Sequence, residues 1–350
     1  MTTPDKGEVP VPLTLGLTAD LVAADEVAPP KPAQLRNALL RTLLVVGLLT
    51  GLFFFARGIN LRLLTSALES ANLWMLAAAV ALNFGNAFCK ALYWSVAVSP
   101  ATPVPILPAF RVGLAAQVAS LLAPARAGDA FRIWQLKRLF HVEVPVSLVV
   151  TAVEKIGDIA SLLVLCTPIF WLLPDLPARV HQGLLVLPLG LAAIALAAAF
   201  VVRHPKLAGS RWLSGLSLFE RPKAVIAGGL FIFLAWALDL VEIRCCMAAI
   251  GADGGYPVAL LALLLVNLAV ALPISPGNAG THELGGTLAL TLAGAPKEQA
   301  VAFALLYHAV QTIPLVLAGF YDARALLAGK ARFGRKAEGP PAPLSAENVG

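Results

Sequence analysis

Long apolar stretches recur along this chain and limit the folds that are open to it. A helix of about twenty residues crosses the hydrocarbon core of a bilayer. Six stretches have this length and character: Leu39–Ala56, Leu73–Val98, Val146–Leu173, Leu184–Val202, Ala224–Ile250 and Ala300–Phe320. Hydrophobic residues make up 59% of the chain and charged residues only 13%, against about half and about a quarter in soluble domains. The sequence therefore predicts an all-α polytopic membrane protein with about six transmembrane helices.

Two further apolar stretches, Ile106–Ala123 and Val258–Leu272, are interrupted instead of continuing across the membrane. Each begins just after a proline and ends at a break rich in Pro and Gly. After the break, the chain returns in a short helical arm, Ala130–Phe140 in the first case and Leu284–Ala293 in the second. We interpret both as re-entrant helical hairpins, which leave the membrane on the side from which they entered.

The distribution of Lys and Arg tests this interpretation. With both broken segments as hairpins and a cytoplasmic N-terminus, inner loops hold 18 Lys and Arg and outer loops hold four. If each broken segment crossed the membrane fully, the numbers would be ten and twelve. Cytoplasmic loops carry an excess of these residues in membrane proteins, so the hairpin topology is favoured.

This topology makes two segments of the chain upside-down copies of each other. The units are residues 106–173 and 257–320, and their breaks superpose with Pro124 on Pro276 and Gly128 on Gly280. Inverted repeats built around broken helices are typical of transporters, whose substrate site lies near the midplane where the repeats meet. We therefore predict a transmembrane domain over residues 38–325, with flexible cytoplasmic tails at 1–37 and 326–350.

The two breaks are candidate substrate sites. Irregular backbone at membrane depth is tolerated only where protein buries it or where it lines a wet cavity. The helix N-terminus after each break favours an anion, and Arg126 and Arg132 flank the first break with side chains that suit a phosphate. The alternative for Asp129 and Thr281 is that they are ordinary N-caps.

Ionisable residues inside a predicted span form a second candidate site. Such residues cost about 2.5–3.5 kcal/mol each at a helix centre and usually mark function. Glu154 and Asp158 share one helix face next to Lys155, and their repulsion favours a proton on one of them, which predicts proton or ion coupling. The alternative is a structural pairing with Lys155, Lys90 or an arginine of the first hairpin.

His282, Glu283 and His308 raise the question of a metal site. A zinc site needs three or four convergent ligands, and residue type alone does not supply them, so we expect no metal and no cofactor. We expect Glu283 to balance an arginine or accept a proton, and His308 to hydrogen-bond the hairpin backbone. The basic residues fit the membrane topology, so we expect no nucleic-acid partner.

Three motifs in order, "PARAGDAFR", "EKIGD" and "PISPGNAGTHE", resemble the flippase-like family that includes the transmembrane region of lysylphosphatidylglycerol synthases. The resemblance implies an integral protein of the bacterial plasma membrane, with anionic or phosphate-bearing lipids and a lipid-modifying enzyme as partners. The substrate-binding residues that we expect are Arg126, Gly128, Asp129, Arg132, Pro276, Gly277, Asn278 and Gly280. Those expected in proton coupling or charge relay are Glu154, Lys155, Asp158, Glu283 and His308.

The chain departs from the family pattern at a few of these positions. Asn278 and Ala279 stand where Gly and Leu are usual, and His308 stands where Arg is frequent. The soluble aminoacyl-transferring domain of the synthases is absent from the sequence. We therefore expect a lipid translocase and not an enzyme. A membrane-embedded transferase and a non-catalytic partner of a lipid-modifying enzyme are the alternatives.

Overall fold

The computed structural model describes residues 61–98, 103–122, 127–190, 192–193, 196, 222–271 and 276–327. The regular elements in these ranges are helical, which confirms the predicted class for this part of the chain. Those whose bounds are fully described are α1 (Leu61–Glu69), α2 (Leu73–Val98), α3 (Ile106–Leu122), α4 (Ala127–Phe140), α5 (Val144–Cys166), α6 (Ile169–Leu172), α7 (Ala178–Leu184), α8 (Pro222–Ala249), α9 (Gly255–Val270), α10 (Thr281–Leu292) and α11 (Lys297–Leu327). A 3-10 turn, Pro276–Asn278, precedes α10.

Three helices in the described ranges are long and apolar enough to cross a membrane, namely α2, α8 and α11. Helix α2 has the predicted bounds, and α8 and α11 begin two and three residues earlier than predicted. A helix pairs its backbone N–H and C=O groups internally, which a segment in lipid requires. The protein is therefore an integral membrane protein.

The other three predicted spans have different outcomes. Leu39–Ala56 lies outside the described residues, as does the second half of Leu184–Val202. The stretch predicted as Val146–Leu173 is divided, because α5 ends at Cys166 and α6 begins at Ile169. Pro168 lies between them and has no N–H for the i−4 bond that would continue α5.

Both predicted hairpins contain two helices that contact each other, α3 with α4 and α9 with α10. The second arm begins three residues earlier than predicted in each case. The approach of α4 to α3 is close at Gly128, where an added Cβ would lie 2.5 Å from the carbonyl oxygen of Ala116. Only glycine fits there, because real Cβ atoms do not approach a backbone oxygen so closely.

The largest buried cluster surrounds α9, in which every side chain from Val258 to Leu264 is buried. A helix that is apolar and buried on all sides is enclosed by protein. The spanning helices instead carry large exposed apolar side chains, such as Ile226 on α8 and Leu317 on α11. Such surfaces suit lipid, whereas the stretch from Val258 to Leu264 is enclosed by protein.

An internal proline explains one contact between these helices. Pro314 has no N–H, so the carbonyl of Val310 in α11 loses its usual partner. The side-chain amide of Asn83 on α2 donates to this carbonyl at 2.8 Å and to that of Gln311 at 3.0 Å. Asn83 thereby satisfies buried acceptors and fixes α2 against α11.

Candidate functional site

Polar side chains from both hairpins and from α2, α5, α8 and α11 surround a cavity of about 480 Å³. Its ionisable lining residues are Lys90, Asp129, Arg132, Glu154, Lys155, Asp158, Asp239, His282 and His308. Ionisable groups inside a membrane domain usually face such a cavity and mark a functional site. This cavity is therefore the candidate site.

Lys90 connects the two carboxylates of α5 on one wall of the cavity. Its ammonium group donates to Asp158 and lies 3.5 Å from Glu154 Oε1. Two indole N–H groups complete the arrangement: that of Trp94 donates to Glu154 at 2.7 Å and that of Trp236 donates to Asp158 at 2.9 Å. Both carboxylates are thus compensated by donors from other helices.

Arg132, from the arm of the first hairpin, also contacts this cluster. Its Nη1 donates to Glu154 Oε2 at 3.2 Å, and its guanidinium lies 5.2 Å from the ring centre of Trp94. Its Nε is buried and has no acceptor within the described part of the chain. Arg132 therefore keeps hydrogen-bonding capacity beside the cavity.

Lys155 is held more loosely than the other two cations. Its ammonium lies 3.8 Å from Asp129 and 3.9 Å from Asp158, and its side chain is 37% exposed. All three pairings that we considered as structural alternatives for Glu154 and Asp158 are therefore present. These cations offset the repulsion between the two carboxylates.

The tip of the second hairpin also lines the cavity. Gly277 and Asn278 line it with positive φ angles of 60° and 58°, a conformation that glycine and asparagine tolerate best. A Cβ added to Gly277 would lie 2.6 Å from Leu121 Cδ1, at the end of α3. The two hairpins therefore meet at their tips.

Glu283 caps the N-terminus of α10, because its Oε2 accepts the N–H of Gly280 at 2.7 Å. Gly280 is the N-cap, so Thr281 is the first helical residue and donates its hydroxyl to the Asn278 carbonyl. Asp129 is likewise inside the first turn of α4. The N-cap interpretation of Asp129 and Thr281 is wrong, because both helices begin earlier than predicted.

A series of contacts, made of hydrogen bonds and one ring stack, runs from this tip towards α8. His308 contacts Glu283 Oε1 at 2.6 Å and the carbonyl of Gly277 at 3.0 Å, as expected for a residue that holds the hairpin backbone. His282 stacks on His308 with ring centres 4.4 Å apart. Its Nε2 lies 3.1 Å from the side-chain oxygen of Gln311, whose amide nitrogen donates to Asp239 at 2.9 Å.

Most of the predicted site residues in the described ranges line the cavity. These are Gly128, Asp129, Arg132, Glu154, Lys155, Asp158, Gly277, Asn278 and His308. Among the described side chains, those of Gly280 and Glu283 do not line it, and Glu283 acts through Gly280 and His308 instead. The side chain of Pro276 lies outside the described part of the chain. Arg126 lies outside the described residues.

Several lining residues were absent from the predicted set, and helical spacing could have found them. Asn83, Asn86, Lys90 and Trp94 recur every three or four residues and so share one face of α2. A polar face on an apolar helix indicates a polar interior. Gln311 has the same relation to His308 on α11.

Comparison with known proteins places this architecture in a family. The chain matches the family described as "Lysylphosphatidylglycerol synthase TM region" over residues 39–319. It is also 28% identical to a Haloferax volcanii protein named "Glycosyltransferase AglD", over 58% of this chain and 41% of that protein. The chain thus spans about two-fifths of the length of this relative.

The name of this relative contradicts one expectation from the sequence, namely that the chain is not an enzyme. The family match confirms the resemblance carried by the three motifs, and it covers most of the chain. The chain belongs to the lysylphosphatidylglycerol synthase TM region family.

Proposed function

We propose that this protein moves an anionic, phosphate-bearing lipid head group between the two leaflets of the membrane. The head group occupies the cavity, and the acyl tails stay in the bilayer against the apolar outer faces of the helices. The observation that carries the proposal is Arg132, whose buried Nε has no acceptor among the described residues. Guanidinium groups bind phosphate oxygens through paired N–H donors.

The contacts of Glu154 support a mechanism in which a phosphate replaces Glu154 as the partner of Arg132. Glu154 accepts hydrogen bonds from Trp94 and Arg132 and lies close to Lys90. A phosphate that takes over Arg132 leaves Glu154 with two of its three partners. Because an uncompensated buried charge is costly, this redundancy lowers the cost of releasing Arg132.

We also propose that the two hairpins enter the membrane from opposite faces, as an inverted repeat. The distribution of Lys and Arg and the contact between Gly277 and Leu121 support this arrangement. Cysteines introduced at Ala125 and Ala279 should be labelled by an impermeant thiol reagent from opposite sides. Labelling of both from the same side would exclude the inverted repeat.

Vesicles that contain the full chain test lipid movement directly. Fluorescent anionic phospholipids placed in one leaflet should reach the other faster than in protein-free vesicles. Arg132→Gln should remove most of this rate. Arg138→Gln is the matched control, because Arg138 lies on the same helix but stacks on the exposed Trp134 outside the cavity. Rates equal to those of empty vesicles across several anionic lipids would exclude the proposal.

A transferase that acts on lipid-linked substrates is the second candidate. The similarity to a protein named a glycosyltransferase favours it. In this case the cavity would hold the lipid-linked substrate during reaction. Incubation of the purified chain with a lipid-linked sugar as donor and a second lipid as acceptor should then give an acceptor of increased mass and a free lipid carrier, and unchanged mass spectra would count against this candidate.

A further inference from the structure

His308 lies between two hydrogen-bond acceptors. Its Nε2 faces the carbonyl oxygen of Gly277 at 3.0 Å, and its Nδ1 faces Glu283 Oε1 at 2.6 Å. A carbonyl oxygen can only accept, so Nε2 carries a hydrogen. The second contact then needs one more proton, which lies either on Nδ1 or on the Glu283 carboxyl.

Loss of this proton breaks one of the two contacts. The Nδ1 lone pair would then face a carboxylate oxygen, which is repulsive. If the remaining ring hydrogen moved to Nδ1, the Nε2 lone pair would face the carbonyl of Gly277 instead. The hydrogen bonds from His308 to both Glu283 and Gly277 therefore require a protonated pair.

This pair contacts the part of the second hairpin that lines the cavity. Gly277 belongs to the tip, lines the cavity and packs on Leu121 of the first hairpin. Glu283 holds the other end of the same tip through the N–H of Gly280. When His308 loses its hydrogen bond to Gly277 or to Glu283, the tip loses one of the contacts that hold it.

The neighbouring titratable groups are each engaged in other contacts. His282 on α10 stacks on His308 and bonds Gln311. Asp239 on α8 accepts from Gln311 and from Tyr307 on α11. The carboxylates of α5 are paired with Lys90, Arg132 and Lys155. Among these groups, His308 with Glu283 is the pair that holds a dissociable proton against the hairpin backbone.

We propose that the proton shared by His308 and Glu283 is a latch that keeps the second hairpin closed on the first, and that its release opens the cavity. This proposal rests on the proposed function in one respect, because the purpose of the latch is to couple movement of the lipid head group to protonation. The sequence-based expectation of coupling is thereby assigned to Glu283 and His308, and not to the paired carboxylates of α5.

Thiol labelling of the hairpin tip tests the latch without any requirement for lipid movement. Asn278→Cys, at a partly buried position that lines the cavity, is introduced into the full chain after replacement of its four native cysteines, and the protein is placed in lipid vesicles. The labelling rate is divided by that of Asp253→Cys, an exposed reference, which corrects for the pH dependence of thiol reactivity. We expect the ratio to rise about threefold between about pH 5 and pH 8, the range in which histidine titrates.

Two variants separate the latch from a general effect of pH. In Glu283→Gln, the amide oxygen can accept the N–H of Gly280 while the amide nitrogen donates to His308 Nδ1, so the ratio should stay low at every pH. His141→Gln is the control, because His141 is exposed on the segment after α4 and should leave the rise unchanged. A ratio that does not change with pH in the parent protein, or a rise that persists in Glu283→Gln, would overturn the latch. The pH profile of the parent protein tests the latch even if a variant fails to fold. Neither the presence nor the absence of the pH-dependent rise changes the result expected from the vesicle test of lipid movement.

Discussion

Replacement of Lys90 by methionine should destabilise the protein more than any other single change to the cavity cations. Its side chain is 20% exposed, and its partner Glu154 is 3% exposed. Two unit charges 3.5 Å apart interact by about 5 kcal/mol at an effective dielectric constant of about 20. Removal of one partner of a buried ion pair costs about 3–5 kcal/mol.

We expect Lys90→Met to lower the free energy of unfolding by about 3 kcal/mol, at the lower end of this range. Arg132 and Trp94 still compensate Glu154, whereas Asp158 keeps, among the described residues, Trp236 and the more distant Lys155. A loss of this size corresponds to a change of more than about a hundredfold in the unfolding equilibrium. This change can be measured by circular dichroism while sodium dodecyl sulfate is titrated into mixed micelles that contain the protein.

The partners of Lys90 provide the controls for this experiment. Lys155→Met should cost less than about 1 kcal/mol, because Lys155 is more exposed and its ion pairs are longer. Asp158→Asn added to Lys90→Met should recover most of the loss, and Glu154→Gln should recover less. Equal losses for the two lysines, or no recovery with Asp158→Asn, would refute this account of the cluster.

Two predictions concern packing and backbone satisfaction, and the same unfolding assay checks both. Gly128→Ala should lower the free energy of unfolding by about 1–3 kcal/mol, because the added Cβ would lie 2.5 Å from a backbone oxygen of α3. Gly113→Ala is the control: nothing lies within 4 Å of the added atom, so this change should be neutral or stabilising. Asn83→Leu should cost about 1–3 kcal/mol, because it leaves the carbonyl of Val310 unpaired. Pro314→Ala restores the helical N–H to that carbonyl and should recover part of the loss, and the absence of any recovery would contradict this explanation.

The helical architecture near the site could be predicted because its signals are local. Proline and glycine mark the two breaks, and the apolar run of α2 ends where its helix ends, so these bounds were close to the observed ones. The helix break after Cys166 was not predicted, because hydropathy averaged over a long window hardly changes at a single proline.

The composition of the site could be predicted only in part, because its contacts join distant segments. The motifs identified Arg132, Glu154 and Asp158, but nothing in the sequence shows that Lys90 lies between the two carboxylates or that Trp94 donates to one of them. The sequence left open whether Glu154 or Asp158 holds a proton or whether both pair with Lys155, Lys90 or an arginine of the first hairpin, because it does not show which of these groups are in contact. Whether the chain is an enzyme could not be inferred from residue types at all, and the sequence-based answer was wrong.

The occupant of the cavity is the central claim, and photo-crosslinking tests it most directly. Two anionic phospholipids are compared in vesicles with the full chain, one with a diazirine on the head group and one with a diazirine at the end of an acyl tail. We predict head-group crosslinks at Gln117 and Thr312, which line the cavity, and tail crosslinks at the exposed Ile226 and Leu317. Head-group crosslinks confined to the ends of the helices, with none at the cavity residues, would contradict the account.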